Sequence, residues 1–447
     1  MVRDSFTTRL GVIAATLGSA VGLGNIWKFP FLTGMNGGAA FILVYLLSTL
    51  VVGLPVMITE LVMGRTAKAD AIGTLRKLAP NKPWWLVGAS GVLAAFLIMA
   101  FYTEVVGWIL AYIFKAASGA ILSTEPAVTT AAFEALITDP FKSLYLQWIV
   151  LAVVGVIIAA GVSRGIERTT KRLMPLLFAI LVVVCIRSLT LPGAGEGLRF
   201  LTRPDFSKLT WPAVLIAMGL SFFKLSVGMG TMTTYGSYFG PDQDIPGTAV
   251  KVMLSDVLIS LLCGIAIFPA VFAFGFQPDS GPGLLFITIP TVFSSMPLGQ
   301  VLMPLFFILA AIAATGAMLS LYEVPVAYLE GTRGWSRRSA SLVTFVLLAL
   351  VGSTAALSSS VMADVKLFGM TPFDLFDFLT SNILLPVGGF FLTVFLGWVW
   401  GWPQVENGLS NNGSLNNEGL IKAFGIVVRF VTPVLVLLVL LNGLGVV

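Results

Sequence analysis

The chain has 447 residues, of which 57% are hydrophobic and only 11% are Asp, Glu, Lys or Arg. A soluble domain carries about 25% charged residues to wet its surface, so a soluble globular enzyme, a disordered tail and a nucleic-acid-binding module are all excluded. What remains is an all-α polytopic membrane protein, whose length allows about ten to twelve spans at roughly 20 residues each. There is no histidine, which removes His-ligated metals, Ser-His triads and His proton shuttles. Cys185 and Cys263 lie in apolar runs and read as small buried hydrophobes rather than a disulfide framework. The net charge of +5 falls mainly in short loops, where it reports topology. The first apolar run, from Leu10, contains Gly and Asn and continues too far for a cleavable signal peptide.

In chain order, about eleven helical spans are expected, near residues 10–33, 38–63, 84–116, 144–162, 171–191, 211–238, 247–275, 298–330, 339–357, 372–402 and 419–446. The loops carry Ala79-Pro80-Asn81-Lys82-Pro83, Pro192-Gly193, Gly240-Pro241-Asp242 and Pro278-Asp279-Ser280-Gly281-Pro282, all turn formers. The Asn/Gly-rich stretch from Gln404 to Glu418 reads as a flexible connection, and 283–297 as a short helical or re-entrant piece. Arg3, Arg65, Arg76, Lys77, Arg164, Arg168, Lys171, Arg172, Arg337 and Arg338 gather on one side, which places the N-terminus in the cytoplasm and, with an odd number of spans, the C-terminus outside.

The sequence repeats itself once in an informative way. The first span contains Ser19-Ala20-Val21-Gly22-Leu23-Gly24-Asn25 and the sixth Leu225-Ser226-Val227-Gly228-Met229-Gly230-Thr231. Paired glycines are poor helix formers. At membrane depth a broken helix survives only where it lines protein or a water cavity. Two such breaks at matching places in two halves point to a secondary transporter with inverted repeats. The expected organisation is one transmembrane domain over 1–447, with repeats 1–191 and 211–402 and an additional helix at 419–446.

These residues resemble a known family. Arg9-Leu10-Gly11, Gly18 through Pro30 and Asn36-Gly37-Gly38 resemble the first-helix signature of the neurotransmitter:sodium symporters. Gly53-Leu54-Pro55 with Glu60 through Arg65 resembles their second helix, and Phe222 through Gly230 with Tyr235-Gly236-Ser237-Tyr238 their sixth. The likeness covers nearly the whole chain and is strongest to bacterial members with eleven helices. It implies a LeuT-type fold, transport of amino acids or related compounds by alternating access, and residence in a bacterial inner membrane.

The resemblance also implies a pocket. Backbone N–H groups of Leu23 and Gly24 and the Tyr102 hydroxyl would meet a substrate carboxylate. Carbonyls of Ala20, Phe223 and Lys224, with the Ser226 hydroxyl, would meet its amino group. Ile98, Met229, Ala317 and Leu321 would line the side-chain space, whose apolar, Met-containing wall suits a hydrophobic amino acid. Phe223 and Tyr102 would form a thin lid. Lys28 and Asp377 stand at the outer gate, where the family has Arg and Asp. Arg3 stands at the inner gate with Glu330 next to Gly331, where an aspartate is usual, and Phe6 replaces a common tryptophan. Gly165 and Pro175 keep the family spacing on the fifth helix, where unwinding admits water.

The ion ligands depart from the family pattern. The first sodium site would use Ala20, Asn25, a sixth-helix hydroxyl and a seventh-helix polar residue, but the last two positions read Lys224 and Asp256. The second would use carbonyls of Gly18, Val21 and Ala313 with two eighth-helix hydroxyls, but those positions read Gly316 and Ala317; a shift of one residue recovers only Thr315. A hard cation needs several oxygen ligands, and a mid-span lysine needs a partner, for which Asp256 and Glu60 are candidates. The expectation is that Lys224 replaces the first sodium and balances the substrate carboxylate. A lysine buried beside an acid can gain and lose a proton as the cavity changes wetness, giving proton coupling or uncoupled exchange. The alternative is a sodium-coupled symporter with degenerate ligands. Tyr45 and Ser260 match part of the family's chloride set, with Lys224 replacing one hydroxyl. Glu104, a further intramembrane acid, reads either as a proton relay or as a packing hydrogen bond. No enzyme motif, cofactor motif or soluble sensing domain is present in the sequence, and the expected partners are a small-molecule substrate and the lipid bilayer.

Overall fold

The computed structural model describes residues 4–276 and 281–446. Arg3 and the predicted loop residues Pro278, Asp279 and Ser280 therefore lie outside the described residues. Among the described residues nine helices are long and apolar enough to span a bilayer: Ala39–Ala67, Trp85–Ala117, Pro140–Ala159, Val162–Leu189, Ile245–Ala273, Gly299–Gly331, Arg337–Ala356, Pro372–Val399 and Glu418–Gly443. They match the second to fifth and seventh to eleventh predicted spans. The two missing are the first and the sixth, because both are broken. The first is Arg9–Ala20 followed by Gly24–Met35, bent by 51°. The sixth is Trp211–Lys224 followed by the short Thr231–Gly236.

Helix starts follow capping chemistry. Thr8, Thr210, Asp244, Ser336 and Thr371 each accept a backbone N–H from the first turn of the helix they precede, which satisfies an otherwise orphaned donor. Between spans the chain makes short helices that the hydropathy pattern hides, at Ala71–Leu78, Pro126–Ile137 and Ala194–Thr202, and within the short piece expected at 283–297 a helix runs over Thr288–Ser295. The stretch expected to be a flexible connection instead begins with a helix, Trp402–Leu409, and only then turns. Its Val405 and Leu409 are fully buried, so burial of one face outweighs the polar composition of the other.

The two halves of the first and sixth spans sit inside the bundle. The second and eighth spans are the most enclosed, each 67% buried over its most apolar window, against 39% for the fourth, fifth, ninth and eleventh. The exposed faces of those outer spans carry Leu, Val, Ile and Phe, the surface a lipid-facing helix requires.

Candidate functional site

The first span leaves the helix at Val21, whose backbone is extended (φ −83°, ψ 114°), and resumes at Gly24. The sixth leaves it at Leu225. Ser226, Gly228 and Gly230 then take φ of 52°, 80° and 73°, a region that is inexpensive for glycine but unusual for serine. Ser226 holds this conformation through partners: its hydroxyl donates to the Ser19 carbonyl at 2.7 Å, and its own carbonyl accepts from Thr231. The two breaks are thus stitched to each other. Ser19 in turn donates to the Ser320 hydroxyl at 2.8 Å, tying both breaks to the eighth span.

Between them lies a cavity of about 20 Å³, close to the size of one water. Ala20, Gly24, Ile98, Tyr102, Phe223, Lys224, Ser226, Met229, Ala317 and Leu321 line it, joined by Ser19 and Gly22, which the sequence places at the first break but not in the expected pocket. Gly22 has a readable reason to be there: a Cβ would stand 2.9 Å from the Tyr102 hydroxyl and 3.0 Å from Ala317. Leu23 is not part of the wall. Its N–H donates to the Tyr102 hydroxyl at 2.9 Å, so two groups expected to meet a carboxylate side by side are bonded to each other in this closed state.

Behind the cavity is a charged cluster with no exposure. The Lys224 ammonium lies 3.1 Å from Asp256 Oδ2, both side chains 0% exposed. It donates to the Tyr45 hydroxyl at 3.0 Å and to the Ser260 hydroxyl, and faces the rings of Phe29 and Tyr45 at 5.2 and 5.0 Å. Asn25 completes the cluster. Its amide nitrogen donates to Asp256 Oδ1 at 2.7 Å and to Ser260 at 3.1 Å, while its amide oxygen accepts the Gly22 N–H at 3.1 Å. Every oxygen named here already accepts a proton donor, and an ammonium stands among them.

Glu60 corrects one expectation. It makes no ion pair with Lys224; its two oxygens accept the N–H of Gly228 at 2.6 Å and the N–H and hydroxyl of Thr233 at 3.1 Å each. A carboxylate buried this way replaces the helical acceptors that the sixth-span break removed. Of the two candidate acids, the lysine is paired with Asp256, 3.1 Å from its ammonium, while the residue also borders the cavity.

At the expected second ion position, the first and eighth spans touch directly. A Cβ on Gly316 would lie 2.4 Å from the Gly18 carbonyl oxygen, so no residue larger than glycine fits without the helices parting. Val21, Ala313 and Ala317 are buried beside this contact but bring no hydroxyl, and Thr315 spends its own on the Ala311 carbonyl at 2.7 Å.

Closures lie at both ends. Lys28 and Asp377 pair at 3.2 Å, with the ammonium 4.1 Å from the Phe223 ring and Ser381 also donating to Asp377 at 2.8 Å. At the other end Glu330 pairs with Arg337 at 3.1 Å. Arg337 also binds Glu323 at 2.6 Å, and Tyr238 donates to Glu323 at 2.6 Å. Sequence alone does not pair Glu323 with Arg337, because they meet only where the eighth and ninth spans turn back. Phe6 packs edge-on against Tyr235, Tyr238 and Phe239. Thr7, Thr8 and Lys171 all bond to Glu167, fastening the start of the first span to the fifth.

Broken helices around a small buried cavity, closed at each end by ion pairs and aromatic rings, define a secondary transporter of LeuT-type fold. The chain matches the sodium:neurotransmitter symporter family over residues 3–127 and 139–446, and it belongs to that family. It is 38% identical over 441 residues to YhdH, an uncharacterized sodium-dependent transporter of Bacillus subtilis, covering 99% of this chain and 98% of that one. It is 33% identical to an uncharacterized sodium-dependent transporter of Haemophilus influenzae, at 99% and 98% coverage. The crystal structure of MhsT in complex with L-phenylalanine superposes with a TM-score of 0.91 at 43% identity, covering 99% of this chain and all of that one.

Proposed function

We propose that the protein is a secondary active transporter of hydrophobic amino acids or related small carboxylates in a bacterial inner membrane, working by alternating access without obligatory sodium at its first ion position. The observation that carries this reading is the buried Lys224–Asp256 pair. The ammonium supplies in covalent form the positive charge that a metal ion would bring, and the donors already filling Asn25, Ser260 and Asp256 leave no free oxygen shell. The Gly18–Gly316 contact supports the same reading at the second position. The apolar wall of Ile98, Met229, Ala317 and Leu321 supports a hydrophobic side chain, as does the phenylalanine held by MhsT. A cavity of this size admits such a substrate only after Phe223 and the Lys28–Asp377 pair move outward.

A paired ammonium and carboxylate differ from a neutral amine and acid by one proton moved between them. When the cavity opens to water on one side, a proton can enter or leave, which makes protons the coupling ion we favour. The second reading, sodium-coupled symport through the remaining carbonyls of Gly18, Val21 and Ala313, is favoured by the relatives, which are named as uncharacterized sodium-dependent transporters.

Uptake of labelled hydrophobic amino acids into liposomes, with sodium and pH gradients imposed separately, decides between them. Accumulation driven by the pH gradient in sodium-free buffer is expected. Accumulation that needs sodium and ignores pH rejects the first reading.

A further inference from the structure

Glu104, on the third span, is 2% exposed. The other buried carboxyls among the described residues are all compensated. Asp256, Glu167 and Glu323 each face a cation, and both oxygens of Glu60 and of Asp70 accept donors. Glu104 has neither arrangement. The Trp108 indole N–H donates to its Oε1 at 2.6 Å, and its Oε2 has no partner among the described residues. Ser143, on the fourth span, stands beside this carboxyl, and its own hydroxyl is likewise buried and unpartnered among them.

The titratable groups of the surrounding elements are engaged elsewhere. On the third span Tyr102 accepts from Leu23, Tyr112 donates to the Phe286 carbonyl and Lys115 to that of Ala132. On the fourth, Lys142 pairs with Asp139 and Tyr145 is exposed. On the tenth, Asp374 accepts from Thr371 and Asp377 pairs with Lys28. On the eighth, Tyr322 donates to the Ser341 carbonyl, and Glu323 and Glu330 share Arg337 of the ninth, where Arg338 is exposed. An ionised carboxylate buried without a cation and with one oxygen unfilled is costly. A proton on Oε2 removes the charge and makes that oxygen a donor for Ser143.

Trp108 ties this acid to the outer closure. Its ring stacks on Phe373 with centres 6.0 Å apart and meets Phe286 edge-on at 5.7 Å. Phe373 lies one turn before Asp377, and Phe286 also touches Trp27, the neighbour of Lys28, at 6.5 Å. Parting Lys28 from Asp377 therefore disturbs the rings on which Trp108 rests, loosens its N–H from Glu104 and lets water approach the carboxyl.

We propose that Glu104 is a proton-binding site worked by the outer closure: closing places a proton on Oε2, which donates to Ser143, and opening returns that proton to water. The site is separate from the Lys224–Asp256 pair and holds whichever ion drives uptake. Because the closed state binds the extra proton, raising the pH must favour the open outer end.

Two measurements on the full chain in vesicles test this. Infrared spectra at neutral pH should show the carbonyl stretch of a protonated carboxylic acid that Glu104→Gln lacks and Ser143→Ala shifts. A carboxylate bridged by a trapped water would give no such band, and its absence overturns the proposal, as does a band that survives in Glu104→Gln. Should the glutamine variant fail to fold, a band that Ser143→Ala does not move overturns it equally. The second measurement places a cysteine in the cavity wall by Ala317→Cys, the two native cysteines being buried. Its labelling by an impermeant thiol reagent on the Lys28 side reports outer opening. Glutamine mimics the neutral acid, so the ratio of labelling rates with Glu104 and with Glu104→Gln should rise with pH, by up to about tenfold per unit for one linked proton. A ratio that stays flat or falls as pH rises overturns the link between Glu104 and the outer end.

Discussion

The Lys224 ammonium and the Asp256 carboxylate face each other at 3.1 Å with neither side chain exposed, on two spans that bracket the broken first helix. Taking either charge out of water costs several kcal/mol, and their mutual attraction returns this only when the remaining hydrogen bonds are filled. Here Tyr45, Ser260 and Asn25 fill them. The pair is therefore held as a unit, and half of it is worse than none.

That asymmetry is measurable. Lys224→Met or Asp256→Leu alone should each destabilise by about 3–5 kcal/mol, because a buried charge is left unpaired. The double variant should recover most of the loss, giving a large coupling energy in a double-mutant cycle read by thermal unfolding. Additive losses would show that the two groups do not depend on each other. Lys224→Ser with Asp256→Asn goes further: it restores a hydroxyl and an amide oxygen, and sodium should then raise the melting temperature where it does not in the parent.

The second ion position gives an independent prediction. Gly316→Ala places a methyl 2.4 Å from the Gly18 carbonyl, an overlap that backbone must absorb. Overpacking of this kind costs about 1–3 kcal/mol. Gly316→Ser should be no better despite its hydroxyl, and sodium should not rescue it. A serine variant stabilised by sodium but not by potassium would mean that the helices part easily and that the site is latent rather than closed.

The outer pair behaves differently because water reaches it. Lys28 and Asp377 are 24% and 39% exposed, and such pairs contribute about 0–1 kcal/mol. Lys28→Ala should leave the melting temperature nearly unchanged. It should nonetheless raise the rate of substrate release to the Lys28 side, since the ammonium also rests on the Phe223 ring that covers the cavity. A slower release, or a large loss of stability, would contradict a gating role.

Much of this was legible in the residues because the broken helices announce themselves. Val-Gly-x-Gly twice, each beside hydroxyl side chains, locates the breaks, and ten of the twelve cavity-lining residues follow from the likeness of the flanking motifs. What stayed hidden depends on direction and distance. Sequence shows that Lys224 needs an acid but not which one. Glu60 and Asp256 are both intramembrane carboxyls, and only the fold reveals that Glu60 is occupied by the backbone of Gly228 and Thr233. Likewise Gly316 and Ala317 read as missing hydroxyls, whereas the direct packing of Gly316 on Gly18 is a property of how close two helices run. The helix Trp402–Leu409 was hidden for the opposite reason: its apolar residues are too few for hydropathy yet correctly spaced for one buried face.

Glu60 makes a sharp prediction of its own. Its oxygens accept three donors, two of them backbone N–H groups of the broken sixth span. Glutamine matches its size but offers one oxygen and one NH₂, so at least one N–H would face another donor. An unsatisfied buried group costs about 1–3 kcal/mol, and Glu60→Gln should lower the melting temperature accordingly. Glu60→Asp, which keeps both acceptors but shortens the reach, should be impaired too. Wild-type stability in the glutamine variant would show that the carboxyl is already protonated and donates a proton of its own.

The last prediction concerns the opposite closure. Tyr238 lies in the turn that follows the sixth span's second half, and its hydroxyl donates to Glu323, which Arg337 also holds. The same stretch of chain receives the Phe6 N–H at its carbonyl, 3.3 Å away, and the Phe6 ring packs against Tyr235 and Phe239. Opening this end must separate the sixth span from the eighth and release the N-terminal segment together, because these contacts share Tyr238. A hydrogen bond to a charged acceptor is worth about 1.5–3 kcal/mol. Tyr238→Phe removes that bond while keeping the ring, so the open population should rise by roughly tenfold or more, at 1.4 kcal/mol per decade. Hydrogen–deuterium exchange of the amides of Phe6 and Thr7, bonded respectively to Tyr238 and Glu167, reads this directly. Faster exchange of both is expected, with no change in the core of the third span. Exchange that quickens at Phe6 alone would show that Glu167 holds the segment by itself and that the two fastenings open separately.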